Sequence, residues 1–374
     1  MTNFAEALFA EIKKRVENEE YRYTDNSFEY LCKRDESAME RDKHSLETQK
    51  IPPLEYILSH HKEKISREIT RNSGLFDILG DAYSRNTMIT RSAYAVLGHL
   101  LVKFPFLCDG YLQKLDDICD KTRVPGRGDF TANEFINEFG FSEPIARYDL
   151  AKAGIDFQCH TVKNMVYTFV YDNMYRYDHE GTEFDIAEGD YVFDCGAAFC
   201  DTALHFALKA GKDGRIFSYD PNPFMHYAGR YNIDLNPHLK DRIQVASLGI
   251  SSRATENVKL YMGGEGSSLT PNKNLVMPTT DIATTSIDLE VARHAIPKVD
   301  FIKMDIEGAE LEALAGAVKT ITRFRPKLAI SVYHKAQDMF TIPRFIQELD
   351  LGYAFYLKHH SPVIFETVLY AKPA

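Results

Sequence analysis

Paired cysteines are the first thing this 374-residue chain lacks. Its six cysteines, Cys32, Cys108, Cys119, Cys159, Cys195 and Cys200, form no C-x-x-C spacing, which argues against a zinc knuckle. No apolar run approaches the ~18 residues needed to cross a bilayer, so no integral membrane segment is expected. The opening Met1-Thr-Asn-Phe-Ala-Glu6 does not have the basic-then-apolar order of a secretion signal. Together these predict a reducing, cytoplasmic setting with free thiols. An excess of basic charge is missing too: 44 Lys and Arg stand against 54 Asp and Glu, a formal net charge of -10. A nucleic-acid surface needs clustered cations to displace counterions, so no nucleic-acid partner is expected. Internal repeats and low-complexity tracts are absent. Hydrophobic residues make up 44%, enough for a sizeable core, and the length suits about two domains of ~150 residues.

What is present centres on Tyr191-Val-Phe-Asp-Cys-Gly-Ala-Ala-Phe-Cys-Asp-Thr-Ala-Leu204. Tyr191, Val192 and Phe193 are β-formers. Gly196 lets a ligand approach the backbone closely. Asp201 and Thr202 can cap the helix that follows, whose free amides face an anionic group. A second apolar strand, Arg215-Ile-Phe-Ser-Tyr-Asp220, also ends in an acid, and Asp220-Pro-Asn-Pro223 stops it. An acid at that tip can accept both hydroxyls of a ribose diol. The run from Gly196 lacks the second and third glycines of a dinucleotide fingerprint, and Asp194 would repel a pyrophosphate. A nicotinamide-dependent oxidoreductase is therefore the less favoured reading. S-adenosylmethionine fits better, with its ammonium, sulfonium, ribose diol and carboxylate.

Further strands continue the pattern. Arg242–Leu248 is the third, and Asp300-Phe-Ile-Lys-Met-Asp305 is the fourth, with Lys303 embedded. The fourth runs into Asp305-Ile-Glu-Gly-Ala-Glu310 and a helix over 309–322, with Glu310 read as a cap. Pro326–His334 is the fifth, Tyr353–His360 the sixth and Thr367–Lys372 the seventh. Strand tips in open α/β sheets line the ligand crevice, which brings Asp305, His334 and His359 into consideration together. Val258–Met262 and Thr284–Leu289 read as an inserted hairpin, and Gly263–Ser268 as either a lid or a surface excursion. The aromatics Tyr167, Phe169, Tyr171, Tyr175 and Tyr177 are either pocket wall or plain core.

The N-terminal part reads differently. Phe4, Leu8, Ile12 and Val16 recur at helical spacing, a stripe facing the core or, as an alternative, a homodimer partner. Residues 17–50 are charged, either a linker or an exposed helix. Further helices are expected after Pro52-Pro53 and through 89–103, with a loop at 121–130.

Three stretches, Gly189–Ala207, Val299–Glu310 and Arg325–His334, make the chain similar to the FkbM family of S-adenosylmethionine-dependent methyltransferases. The resemblance covers about Asn164 to the end, and Val299–Glu310 is its most specific part. It implies an α/β fold: a seven-stranded class I methyltransferase, Rossmann-like sheet at 161–374, behind a mainly helical domain at 1–160. It implies a cofactor site of Asp194, Gly196, Ala197, Asp201, Thr202, Asp220, Pro221 and Asp305, with Ala246 and Ser247 beside the adenine. The family has a Tyr-His pair and a Leu-x-His at the places of Tyr333-His334 and Leu357–His359. The acceptor implied is small or glycan-like: a hydroxyl of a surface-glycan sugar or of a natural-product intermediate. Catalysis would fall to Asp305, His334 and His359. A histidine can take the hydroxyl proton. Alternatively Asp305 and the histidines bind a divalent metal, less favoured because the spacing shows no compact motif. A histidine can also simply satisfy a strand end, the preferred reading for His360. Cys200 stands where the family places a glycine, which keeps a catalytically weak or inactive binding or scaffolding protein as the alternative function.

Overall fold

The computed structural model describes residues 3–18, 52–98, 101–102, 104, 111–125, 145–263, 266–271, 277–361 and 364–373. By internal contacts it forms two compact units, Met1–Lys114 with Phe355–Thr367, and Leu115–Ala354 with Val368–Ala374. Nearly all of the charged segment 17–50, residues 126–130 of the expected loop, Gly264 and Glu265, and both Cys32 and Cys108 lie outside the described residues.

The first unit is built on helices α1 (Phe4–Glu17), α2 (Lys62–Ile78) and α3 (Ala82–Leu97). Asn3 starts α1 with a capping box: its Oδ1 accepts from the Glu6 amide at 2.9 Å while Glu6 answers the Asn3 amide at 3.4 Å. That arrangement satisfies two amides that a bare helix end leaves open. The stripe Phe4, Leu8, Ile12 and Val16 is buried, and α1 packs on α2 and α3, so it faces the core of this unit. Asp81 caps α3 through the Ser84 amide at 2.8 Å. Segment 355–367 is sewn on by the Gly80 amide to Phe355 O at 2.8 Å and the Leu357 amide to Ser84 Oγ at 2.9 Å.

The main sheet has seven strands: β1 (Tyr191–Cys195), β2 (Arg215–Tyr219), β3 (Ile243–Ala246), β4 (Phe301–Met304), β5 (Lys327–Ser331), β6 (Tyr353–His359) and β7 (Thr367–Pro373). Their order is β6-β7-β5-β4-β1-β2-β3, with β5-β4-β1-β2-β3 parallel and β7 antiparallel to β5. Strands β1, β4 and β5 are buried on both faces, which is why they read as continuous apolar runs. Burying each of Phe193, Phe301 and Ile330 contributes roughly 1.5–3 kcal/mol. Order reverses between β1 and β4, so the carboxyl ends of these strands form a ligand crevice.

Helices α4 (Asp201–Ala210) and α5 (Pro223–Asp234) follow β1 and β2. The expected domain boundary at 160 differs from the limits of the units. Ala146–Asp149 pairs with Gln158–Thr161 as a hairpin, and Asn232 of α5 and Asn236 bind its backbone amides at His160 and Gln158, at 2.7 and 2.9 Å. The expected helix 309–322 is two, α6 (Glu310–Ala315) and Val318–Phe324, split at Gly316, where a side chain would meet Ser251 O at 2.3 Å. The inserted hairpin is a three-stranded sheet of Thr255–Tyr261, Thr279–Thr285 and Gly249–Ile250. No helix among the described residues is long and apolar enough to cross a membrane.

Candidate active site

The β1 tip is organised by a buried ion pair. Asp194 is fully buried, and Lys303, opposite it in the β4–β1 register, places Nζ 3.2 Å from its Oδ1. Lys303 also donates to Gly196 O at 2.6 Å. Thr202 Oγ1 donates to Asp194 Oδ2 at 3.0 Å and Ser218 at 3.4 Å. Burial alone would pull the Lys303 ammonium down, but Asp194 and Asp305 outweigh it and hold its pKa above the usual lysine value. Gly196 sits at φ 85°, and a Cβ there would stand 1.8 Å from Asp305 O, so the turn admits only glycine and joins the β1 and β4 tips.

Asp201 opens α4. Its Oδ2 accepts from Thr161 at 2.8 Å and its Oδ1 from the Thr202 amide at 2.9 Å. Burial pushes its pKa to about 6 against those bonds. Cys200 occupies the N-cap place at φ 58°, a left-handed conformation that suits glycine. Its thiol turns towards α5, where a Cβ on Gly229 would lie 2.5 Å from Sγ. Burial pushes the thiol well up, with Asp194 adding to it, so it is no thiolate nucleophile.

Asp220, at the β2 tip, accepts from the Ala198 amide at 2.8 Å and the Asn222 amide at 2.9 Å. Desolvation pushes its pKa to about 6. Ala197 is buried, with its amide on Tyr219 O at 3.1 Å. Pro221 is half-buried, as is Ala246, whose carbonyl accepts the Asp220 amide at 3.2 Å; Ser247 is exposed.

The β4 and β5 tips carry the second half. Asp305 Oδ2 accepts from Tyr175 at 2.9 Å and Oδ1 from Tyr333 at 3.2 Å. His334 Nε2 stands 3.4 Å from Asp305 Oδ1 and 3.6 Å from Glu307 Oε1, while Nδ1 meets Glu310 Oε1 at 2.7 Å. Burial would raise the Asp305 carboxyl, yet His334, Lys303 and the Tyr175 hydroxyl hold it below the usual carboxylate range. Burial pulls the His334 imidazole down, but Glu307 and Glu310 hold it well above the ordinary histidine value. Glu307, raised by burial, has φ 54° and Gly308 φ 93°, a tight turn that folds three carboxylates around one imidazole. Ser268, at the end of the glycine-rich segment, donates to Glu307 O at 3.0 Å, and Ser267 accepts from Asn222 at 3.1 Å.

Asp305 and His334 are thus brought together. His359 belongs to the first unit, buried with Nδ1 2.8 Å from Thr367 Oγ1 and its ring 3.9 Å from Phe104. His360 is likewise buried there, its amide on Glu366 O at 2.9 Å. Of the aromatic run, Tyr175 is the site residue and Tyr167 and Tyr177 are core. Glu310 is more than a cap, since it accepts from the Ile306 amide at 3.0 Å as well as facing His334. The 305, 307, 310 spacing of acids was its only sequence signal.

This order of strands, with acids at successive tips, is that of a class I methyltransferase fold. Residues 194–355 match the Methyltransferase FkbM domain. Methyltransferase FkbM from Methylobacillus flagellatus KT shares the fold at TM-score 0.51 and 20% identity, over 83% of this chain and 60% of that one. The chain thus spans about 60% of that relative's length. Aeropyrum pernix fibrillarin, solved with bound S-adenosyl-L-methionine, aligns at TM-score 0.33 and 17% identity over 50% of this chain and 69% of its own. A Thermotoga maritima S-adenosylmethionine-dependent O-methyltransferase aligns at 0.30 and 14%, over 51% and 62%. No curated protein matches the chain.

Proposed function

We propose that the protein transfers a methyl group from S-adenosylmethionine to a hydroxyl, on a sugar of a glycan or on a small natural-product intermediate. The observation that carries this reading is the continuous rim of the second unit. Gly196 against Asp305 O joins β1 to β4, and Asp220 bonded to the Ala198 amide joins β2 to β1.

The donor set fits the cofactor. Lys303 balances Asp194, which leaves the Asp220 and Asp305 carboxylates for a cationic ligand with a ribose diol. Asp220 would hold the diol, with Pro221 beside it and the Ala246 carbonyl on its amide, Ser247 following in sequence, and Gly196, Ala197, Asp201 and Thr202 shaping the turn. When bound, S-adenosylmethionine supplies an activated methyl group. The chain's own residues then hold the acceptor oxygen in line, which is the larger part of the acceleration. As that oxygen gains the methyl, its proton is received within the cluster of Asp305, Glu307 and His334. Tyr175 and Tyr333 fix Asp305 while this happens.

Titration calorimetry with S-adenosylmethionine and S-adenosylhomocysteine tests the cofactor; micromolar affinity is expected. A labelled-methyl assay over hydroxylated acceptors tests the chemistry. Asp305→Asn and His334→Ala are expected to lower turnover by 10²–10⁴-fold, the usual weight of a positioned acid–base group. Wild-type turnover in both variants would remove this site from the reaction. A folded protein with no affinity for either ligand would hand the lead to a binding or scaffolding role.

A further inference from the structure

The cluster behind Asp305 has more carboxylate than its neighbours neutralise. Asp305, Glu307 and Glu310 surround one imidazole, while the adjacent Lys303 ammonium is engaged by Asp194 and Gly196 O. Glu310 is fully buried; its Oε1 is taken by the Ile306 amide and His334, and its Oε2 has no hydrogen-bond partner. His334, 7% exposed, has a second orphan: Nε2 makes no hydrogen bond and is aimed between Asp305 and Glu307. Buried polar atoms left open in this way are rare and call for an explanation.

We propose that Asp305, Glu310 and His334 bind one divalent transition-metal cation. Donor atoms of these three residues lie within 4.8 Å of one another. His334 would offer Nδ1, 2.7 Å from Glu310 Oε1, with the cation taking the place of the proton between them. Asp305 is oriented by the Tyr175 and Tyr333 hydroxyls. One nitrogen with two carboxylates suits Mn2+ or Zn2+ better than the all-oxygen cations. The ligands come from two strand tips, 305–310 and 334, which is why no compact metal motif shows in the sequence. Cation binding stands apart from the methyl-transfer reading; only its role rests on that reading. There it would lower the pKa of the acceptor hydroxyl and leave Glu307, at the rim, to take the proton.

The test is titration of Mn2+ into the purified full-length chain after chelator dialysis, followed by the resonance signal of free Mn2+ with Zn2+ as competitor. One saturable site per chain is expected. It should weaken at least tenfold in Glu310→Gln and Asp305→Asn, and stay unchanged in Glu256→Gln, an exposed carboxylate on the small sheet. Thermal unfolding checks each variant, and Asp305→Asn carries the test if Glu310→Gln does not fold. No saturable site for either metal in folded protein, or a site indifferent to both substitutions, overturns the proposal. Full methyl transfer in EDTA without a cation site would leave the methyl-transfer reading intact. A cation site in a protein that binds no S-adenosylmethionine would instead remove that reading and keep this one.

Discussion

Lys303 shows what a single residue does for this fold. Its ammonium is buried in the sheet beside Asp194 and would be costly there without that partner. Lys303→Met should lower stability by about 3–5 kcal/mol, because Asp194 is left as an uncompensated buried charge. Adding Asp194→Asn should recover part of that loss in urea unfolding. Additive losses in the double variant would mean that the two groups act independently. Cys200 makes a second case. Its thiol fills the space opposite Gly229, so Gly229→Ala should cost about 1–3 kcal/mol through overpacking. Cys200→Gly should relieve that clash in the double variant and change S-adenosylmethionine affinity less than twofold. A large gain in affinity from Cys200→Gly alone would place the thiol in the cofactor's way after all.

At the scale of elements, strand and turn chemistry were legible and lateral register was not. Tyr191–Asp194 and Arg215–Tyr219 announced themselves as buried strands because both faces of a parallel sheet are covered. The Asp305–Glu310 turn was visible as acids around a glycine. Lys303 was visible too, but its partner depends on β4 pairing beside β1, which no local pattern encodes. Glu310 read as a cap because local spacing does not reveal that His334 arrives from β5. His359 sits at a strand tip as expected, yet its imidazole is held by Thr367 on the next strand and lies against the ring of Phe104, a residue distant in sequence. The turn itself carries a prediction. Gly308, at φ 93°, has Lys335 Cε 2.9 Å from any Cβ, and Lys335 Nζ donates to its carbonyl. Gly308→Ala should therefore lower stability by about 1–2 kcal/mol and loosen the Glu307–His334 approach. Calorimetric unfolding at the wild-type midpoint would refute that account.

For the molecule as a whole, buried titratable groups set how stability follows pH. Asp201, Asp220 and Asp338 have pKa values raised from 3.8 to about 6 in the folded protein, first by burial. For each, the folded state binds the proton more tightly than the unfolded chain. The stability this gives is fully present below about 3.8 and is lost as pH rises through about 6. His334, held well above 6.5, acts in the same direction: its contribution is present below 6.5 and fades as pH climbs through its higher folded value. His205 opposes them. Burial lowers its pKa from 6.5 to about 3, so stability is lost as pH falls from 6.5 towards 3. Glu307, raised by burial, sides with the first set, while His61 and His226, lowered by burial, side with His205. The raised groups favour the acid side, and the formal net charge of -10 adds self-repulsion at higher pH. The unfolding midpoint should therefore be higher at pH 5 than at pH 8. Asp201→Asn should shrink that difference, since a rise from 3.8 to about 6 corresponds to roughly 3 kcal/mol at most. His205→Gln should enlarge it, because the loss between 6.5 and 5 disappears with the imidazole. Equal midpoints at the two pH values, or a difference that grows in Asp201→Asn, would show that these carboxyls are ionised and solvated in the folded protein.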